Sequence, residues 1–184
     1  GALPVVFVEN RGQVRGPARF VTGWPHAPAW ITATGITLEL SRCDETEAPP
    51  RQGRRLGAIE ARAGTRVHCA HVALIFEGGD RGPSVVADEP ASSRYSYFLG
   101  NDPSRWVRGV PGSRRLRWSG LYPGVSAEIH GETGRLEYDL CLEPGADLSQ
   151  LVVRVEGSQR LTLLPDGSLQ IDTAGGALRQ APPP

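Results

Sequence analysis

Residues 125–142 read VSAEIHGETGRLEYDLCL, and this stretch decides the fold class. Apolar residues occupy every second position on both sides of a glycine-containing turn at residues 131–134. Val125, Ala127 and Ile129 thus share one face, and the alternation resumes from Leu136 to Leu142. A period of two with a single apolar face is typical of an antiparallel hairpin with one solvated side. The sequence therefore predicts a half-buried β-hairpin here.

The same period recurs along most of the chain, in runs that glycine and proline interrupt at short intervals. With 23 glycines and 16 prolines among 184 residues, many turns and few long helices are expected. Only Asp102–Trp106 indicates a helical turn, because Asp102 can cap it and Pro103 fixes φ at its first position. We predict an all-β protein, an antiparallel β-sandwich of about a dozen short strands with at most one helical turn. Two packed β subdomains are the alternative architecture.

The predicted domain organisation is a single domain over residues 1–181, with a subdivision near residues 80–110 as the alternative. Residues 44–64 interrupt the strand pattern with Pro49-Pro50 and four arginines, which predicts a mobile surface loop. Residues 182–184 are all proline and predict a boundary or linker. The chain has no methionine, even at position 1, so we expect processing or excision from a longer protein.

The charge composition excludes several classes of function. All 20 basic residues are arginine, which rules out lysine-dependent chemistry such as Schiff bases and Walker phosphate loops. The 20 acidic residues bring the formal net charge to zero, so no global field attracts nucleic acid or anionic membrane. The longest apolar run, Val72–Phe76, is far too short to span a bilayer. We expect a soluble chain with no nucleic-acid partner and no membrane insertion.

Cysteine and histidine offer one candidate metal site. Cys69 and His71 project from one face of a predicted strand and could act as two ligands. No other histidine or cysteine belongs to a spaced pair that would complete the site, so we predict ordinary strand residues, no metal and no cofactor. Cys43 and Cys69 could form a disulfide in an oxidising compartment, and three buried free thiols, including Cys141, are the alternative.

Carboxylates offer two candidate catalytic sites. Glu137 and Asp139 share a strand face and could form a glycosidase-type pair, which makes an envelope hydrolase a remote alternative. The solvated face of a strand commonly carries such residues. The run Asp172-Thr173-Ala174-Gly175 resembles the active loop of aspartic proteases, but alanine stands where that loop needs glycine and there is no second copy. We therefore predict a turn there, no catalytic residue, and no enzymatic activity.

The largest local bias is a concentration of five arginines and two tryptophans between positions 105 and 118. Guanidinium and indole groups in this density could bind acidic glycans, phosphates or single-stranded nucleic acid. Alternatively, these arginines pair with carboxylates across a sheet. The candidate ligand-binding residues are Arg105, Trp106, Arg108, Arg114, Arg115, Arg117 and Trp118.

Six motifs, in order along the chain, carry a family resemblance. They are Phe7–Gln13, Tyr97–Trp106, Gly120–Val125, Leu136–Asp139, Pro144–Asp147 and Thr173–Gly176. With these motifs the chain resembles the uncharacterised β-rich domain that precedes SBBP-type β-propeller repeats in large secreted or cell-surface bacterial proteins. Two departures stand out. Residues 44–64 are longer and more basic than the resemblance leads us to expect, and the chain stops at Pro184 where more of the family region is expected.

The resemblance implies an extracellular or cell-envelope location, a larger parent protein, and no activity attached to the domain. We therefore expect a non-catalytic scaffold or interaction module whose partners are the β-propeller repeats of its parent, and beyond these a glycan or another surface protein. A glycan- or polyanion-binding module that uses residues 105–118 is the alternative. The motif residues expected to act structurally are Asn10, Gly12, Gly100, Asn101, Asp102, Pro103, Tyr122, Pro123, Gly124, Tyr138 and Asp147.

Overall fold

A computed structural model describes residues 5–22, 28–45, 65–78, 83–132 and 135–182, and most of these lie in β-strands. The first half of the chain forms β1 (Phe7–Glu9), β2 (Phe20–Thr22), β3 (Ala29–Ile31), β4 (Gly35–Glu45), β5 (Thr65–Glu77) and β6 (Ser84–Tyr97). The second half forms β7 (Val107–Tyr122), β8 (Val125–Glu132), β9 (Arg135–Leu142), β10 (Val152–Glu156), β11 (Arg160–Leu163), β12 (Leu169–Thr173) and β13 (Gly176–Gln180). The predicted all-β antiparallel class is confirmed.

Ten strands form one curled sheet. Nine of them follow the order β10-β5-β4-β3-β2-β1-β7-β8-β9, and β6 pairs with β7 off this path. Strand β7 therefore has three partners: β6 pairs with residues 107–119, β1 with residues 112–113, and β8 with residues 115–122. Strands β11, β12 and β13 form a separate antiparallel sheet.

The chain contacts divide the protein into two compact units. The first contains residues 1–39 and 72–156, and the second contains residues 40–71 and 157–184. Residues 80–110, where a subdivision was the alternative, lie within the first unit. The single domain over residues 1–181 stays a prediction. Most of the predicted loop at 44–64 and the last two prolines of the predicted linker lie outside the described residues, whereas residues 44 and 45 end β4.

The core of the first unit is built on the inward face of the curled sheet. Phe7, Trp118 and Ile129 come from three neighbouring strands and are fully buried. The Trp118 indole packs edge-on against Phe76 with ring centroids 5.9 Å apart, and its Nε1 donates a hydrogen bond to the carbonyl of Thr32 at 3.0 Å. Burying a large apolar side chain contributes about 1.5–3 kcal/mol. This cluster therefore holds together strands that are far apart in sequence.

The hairpin predicted from residues 125–142 is present as β8 and β9, with Val125 opposite Leu142 and Ile129 opposite Tyr138. Elsewhere the sequence pattern predicts strand breaks that are not there. The alternation over residues 84–87 and again over residues 95–99 predicts two separate strands, yet both runs lie in β6 except for residues 98 and 99. Irregular pairing between Pro90 and Arg94 accommodates the proline within a continuous strand.

Two single turns of 3₁₀ helix accompany the strands. The predicted turn occupies Pro103–Arg105, and the Asp102 carboxylate accepts a hydrogen bond from the Ser104 amide at 3.0 Å. A second turn, which the sequence pattern did not indicate, occupies Leu148–Gln150 and is capped in the same way by Asp147. Within the described part of the chain, neither helical segment has the length and apolar character needed to cross a bilayer.

Candidate functional site

The seven arginine and tryptophan residues singled out by the sequence separate into two groups. Trp118 belongs to the buried core and is not accessible to a ligand. Arg115 and Arg117 flank the Glu128 carboxylate on the neighbouring strand β8, and Arg115 Nη1 lies 2.7 Å from Glu128 Oε2. The hydrogen bond to Glu128 and the charge of that carboxylate raise the pKa of the Arg115 guanidinium. The carboxylate itself is almost buried, with 11% of its side chain exposed.

Two further carboxylates, both on β6, pair with arginines of β7 and complete an ion-pair cluster. Glu89 lies 3.5 Å from Arg114 Nη1 and 3.7 Å from Arg115 Nε, and Asp88 lies 3.9 Å from Arg117 Nη2. We call this the β7 ion-pair cluster; its members are Asp88, Glu89, Arg114, Arg115, Arg117 and Glu128. Three guanidinium groups face three carboxylates, so the cluster is balanced in charge.

The second group is Arg105, Trp106 and Arg108, and it lies beside two arginines that the sequence pattern did not single out. Arg105, Trp106 and Arg108 line a cavity of about 610 Å³ together with Arg11 and Arg15, which lie between β1 and β2. We call this cavity the arginine groove. Nothing local in the sequence connects its two sides, because they meet through the pairing of β1 with β7.

One side of the groove is the loop between β1 and β2, and the Asn10 side chain makes most of the hydrogen bonds that hold it. The Asn10 amide donates hydrogen bonds to the carbonyls of Val14 and Ala18, both at 2.9 Å, and its oxygen accepts from the amides of Gly12 and Val14. Gly12 has a φ of +103°, a conformation that disfavours side chains. The nearly buried Gln13 side chain adds a hydrogen bond from its amide to the Glu9 carbonyl at 2.6 Å. The loop that carries Arg11 and Arg15 is therefore fixed internally.

The other side of the groove is the connection between β6 and β7. Gly100 has a φ of +73°, and its carbonyl accepts a hydrogen bond from Trp106 Nε1 at 3.2 Å. The Ser104 hydroxyl and amide donate to Asp102 and lower the pKa of that carboxyl. Asn101 and Pro103 are exposed members of the same connection. Together these contacts hold the turn that places Arg105 in the groove.

Aromatic rings orient the Arg108 guanidinium. Its central carbon lies 5.5 Å from the Phe98 ring centroid and 5.4 Å from that of Trp106. The two rings pack edge to face, with centroids 5.3 Å apart and planes at 87°. Cation–π contacts position a guanidinium without neutralising its charge, which leaves the charge available to a ligand.

An apolar cluster packs against two of the residues that line the groove. Val8 and Val110 are fully buried, and Tyr97 and Val107, which line the groove, pack against their cluster. Burial raises the pKa of the Tyr97 hydroxyl, with a smaller contribution from Tyr95. The lining therefore presents partly apolar surface between its cations.

The groove arginines differ from the β7 ion-pair cluster in their charge partners. Among the described residues, Glu9 is the one carboxylate that pairs with a groove arginine, and its Oε2 lies 2.8 Å from Arg11 Nε. Arg15, Arg105 and Arg108 are exposed and form no ion pair within the described ranges. The groove is thus a local excess of positive charge on a chain with zero formal net charge.

The remaining motif residues make structural contacts. Tyr122 is buried. Its hydroxyl donates a hydrogen bond to the Glu77 carbonyl and accepts one from the Val152 amide, at 3.4 Å. Tyr138 packs edge-on against Phe76. Pro123 is exposed in the β7–β8 turn, and Gly124 there has a φ of +70° with the Ala146 Cβ close to it. Asp147 caps its own 3₁₀ turn, as described above.

The candidate catalytic carboxylates lie on exposed surface. Glu137 and Asp139 occupy the solvated face of β9, and Asp139 Oδ2 lies 2.9 Å from His130 Nε2 on β8. The protease-like run forms the predicted turn between β12 and β13. In that turn the Thr173 hydroxyl donates to the Gly176 carbonyl at 2.7 Å and accepts from the Gly175 amide at 3.1 Å.

The cysteine predictions need correction. Cys69 and Cys141 are free and exposed, so neither is a buried thiol and the Cys43–Cys69 disulfide is not formed. Cys141 is exposed because it shares the solvated face of β9 with Asp139. The Cys43 side chain lies outside what the structure describes. Within the described ranges, no three histidine, cysteine, aspartate or glutamate side chains are grouped in a way that could hold a metal ion.

Comparison with known protein families gives a match over most of the chain. A family profile described as "Domain of unknown function (DUF7948)" matches residues 7–184, nearly the whole chain. No curated protein and no solved structure matches the chain significantly. The family description assigns neither an activity nor a ligand.

Proposed function

This chain belongs to the DUF7948 family of domains of unknown function, and we propose that it is a non-catalytic interaction module that binds an anionic partner in the arginine groove. The observation that carries the proposal is the convergence of four arginines on one cavity. Three of them, Arg15, Arg105 and Arg108, have no ion pair among the described residues.

The chemistry of the groove suits an oxyanion. A guanidinium group presents N–H donors in a planar fork that matches carboxylate, sulfate and phosphate groups. The groove has a volume of about 610 Å³. Both sides are fixed before binding, one by Asn10 and the other by Asp102 and the aromatic contacts of Arg108. Such pre-organisation lowers the entropy cost of binding.

The β7 ion-pair cluster supports the choice of this groove over the rest of the arginine-rich segment. Arg115 and Arg117 share a nearly buried carboxylate that an external anion would have to displace. Such displacement leaves a desolvated charge without its partner, which is costly. We therefore propose that anions bind at Arg105 and Arg108, and not at Arg114, Arg115 or Arg117.

A retention experiment on immobilised heparin tests this proposal. We expect the wild-type domain to bind and the double variant Arg105→Ala/Arg108→Ala to elute at clearly lower salt. The matched control is Arg135→Ala/Arg160→Ala, which removes the same charge from two exposed positions outside the groove lining. Equal losses for both double variants would mean non-specific attraction, and no retention of the wild type would contradict the proposal directly.

We further propose that the domain works outside the cytoplasm, as a scaffold within a larger protein that carries β-propeller repeats. The sequence motifs from Phe7–Gln13 to Thr173–Gly176 support this setting by resemblance. Cell fractionation with an antiserum against the domain tests the location. Recovery in the medium or envelope is the expected result, and a purely cytoplasmic signal would contradict it.

A further inference from the structure

We propose that the arginine groove recognises an acidic polysaccharide, a chain of pyranose rings that carries carboxylate or sulfate groups. The inference rests on the proposed function and specifies the chemical class of the anionic partner. It starts from the composition of the groove, which combines four cations with exposed apolar and aromatic surface. Acidic polysaccharides combine the same two properties, because anionic groups alternate with the C–H faces of sugar rings.

The first argument concerns the placement of the charges. Arg11 and Arg15 come from the β1–β2 loop, whereas Arg105 and Arg108 come from the β6–β7 connection. Cations on two separate segments suit a ligand with at least two anionic groups along its length. A single phosphate or sulfate ion would use only part of the groove.

The second argument concerns the apolar lining. Leu99 is 55% exposed although it is a large aliphatic residue, and it lines the cavity beside Trp106 and Val107. Exposed apolar surface at a ligand site indicates a ligand with apolar patches of its own. The C–H faces of a pyranose ring can pack on exposed aliphatic surface such as that of Leu99.

The third argument concerns the polar donors that remain available. The Trp106 indole N–H already donates to Gly100, and the Gln13 side chain already donates to Glu9. The Ser104 hydroxyl donates to Asp102. Apart from the Tyr97 hydroxyl, the guanidinium groups are therefore the principal side-chain donors of the lining, which favours a ligand recognised through its anionic groups and ring faces.

The charge of the whole molecule distinguishes this ligand from nucleic acid. Sequence-independent binding to nucleic acid depends on many phosphate contacts and on an extended positive surface. Here the net charge is zero, and carboxylates neutralise the arginines of the β7 ion-pair cluster. A short, localised cationic groove contacts only a few anionic groups and lacks the extended series of phosphate contacts that such binding uses.

Isothermal titration calorimetry with defined probes tests the inference. The probes are a galacturonic acid hexamer, a heparin-derived hexasaccharide, a neutral galactose hexamer, a hexaglutamate peptide and a thymidine hexanucleotide. We expect one or both acidic hexasaccharides to bind, and to bind more tightly than the other three probes. The two acidic sugars distinguish a carboxylate from a sulfate preference.

The variant Leu99→Ala separates ring recognition from charge attraction, and the exposure of Leu99 makes it a mild change for folding. We expect about a two- to fivefold loss of acidic oligosaccharide affinity, from lost apolar contact, and unchanged hexaglutamate affinity.

Tighter binding of hexaglutamate or of the hexanucleotide would overturn the inference and leave the proposed anion-binding function intact. Equal losses of sugar and peptide affinity in Leu99→Ala would also overturn it. If no anionic probe binds the wild-type domain, the proposed function fails together with the inference.

Discussion

Replacing Glu9 with glutamine is expected to tighten the binding of anionic ligands to the arginine groove. Glu9 is the internal carboxylate that pairs with Arg11, with Oε2 and Nε 2.8 Å apart. An incoming anion has to compete with this carboxylate for the same guanidinium. Glutamine keeps the size of the side chain and removes its charge, so that Arg11 becomes free for the ligand.

The size of the effect follows from the exposure of the pair. The Arg11 and Glu9 side chains are 50% and 48% exposed. Ion pairs this exposed contribute about 0.2–1 kcal/mol, which corresponds to an affinity gain of about 1.4- to 5-fold. The loop itself should not change, because Gln13 bonds to the backbone carbonyl of Glu9 and not to its side chain.

Titration calorimetry with the heparin-derived hexasaccharide, at low and at physiological salt, measures this gain. We expect the gain to shrink as salt rises, because both groups are accessible to screening ions. Glu143→Gln is the matched control, since it makes the same change of charge at an exposed position outside the groove lining. An equal gain in the control would refute the competition argument. Weaker binding by Glu9→Gln would show that Glu9 orients Arg11 for the ligand.

Three other substitutions test the fold. Trp118→Ala should lower the free energy of unfolding by about 3–5 kcal/mol in urea titrations, because it empties the core, whereas the heparin retention of the folded fraction should not change. Gly35→Ala should cost about 1–3 kcal/mol in the same assay, since the new Cβ would lie 2.1 Å from the Leu74 carbonyl oxygen. Hydrogen bonds from Ser104 lower the folded-state pKa of Asp102, so the stability it provides is complete above its unfolded-state pKa and is lost as pH falls through the folded-state value. In Asp102→Ala, urea midpoints measured between about pH 6 and pH 2 should fall less steeply than in the wild type.

Alternation of apolar residues was sufficient to predict the all-β class and the hairpin of residues 125–142. It works for the hairpin of β8 and β9 because one face of that hairpin contacts the core and the other contacts water. It failed to show that β6 and β7 are long and continuous. Pro90 and Pro111 indicate strand ends when read locally, but irregular pairing between the two strands accommodates both prolines. That pairing is a tertiary property with no local signal.

The groove could be predicted only in part, for a related reason. Arg105, Trp106 and Arg108 are close in sequence and stood out as a group. Arg11 and Arg15 could not be connected to them, because the pairing of Phe7 with Ser113 joins segments that are far apart along the chain.

The buried position of Trp118 had a signal in the sequence. Trp118 shares the phase of Leu116 in the alternating pattern, opposite to Arg115 and Arg117. Both Leu116 and Trp118 are fully buried. Phase within a strand was therefore a better guide to the position of the indole than its nearness to arginine.

The position of β7 at the meeting point of three strands constrains the order in which the chain can fold. Strands β6 and β8 are its neighbours in sequence and can join it by closing short loops. Strand β1 is separated from β7 by more than a hundred residues of chain, because Phe7 pairs with Ser113. Closing a loop of this length is slow, because its entropy cost comes before any stabilising contact has formed. We therefore expect β1 to dock late. The two sides of the arginine groove meet through this same pairing, so the groove would be completed only near the end of folding.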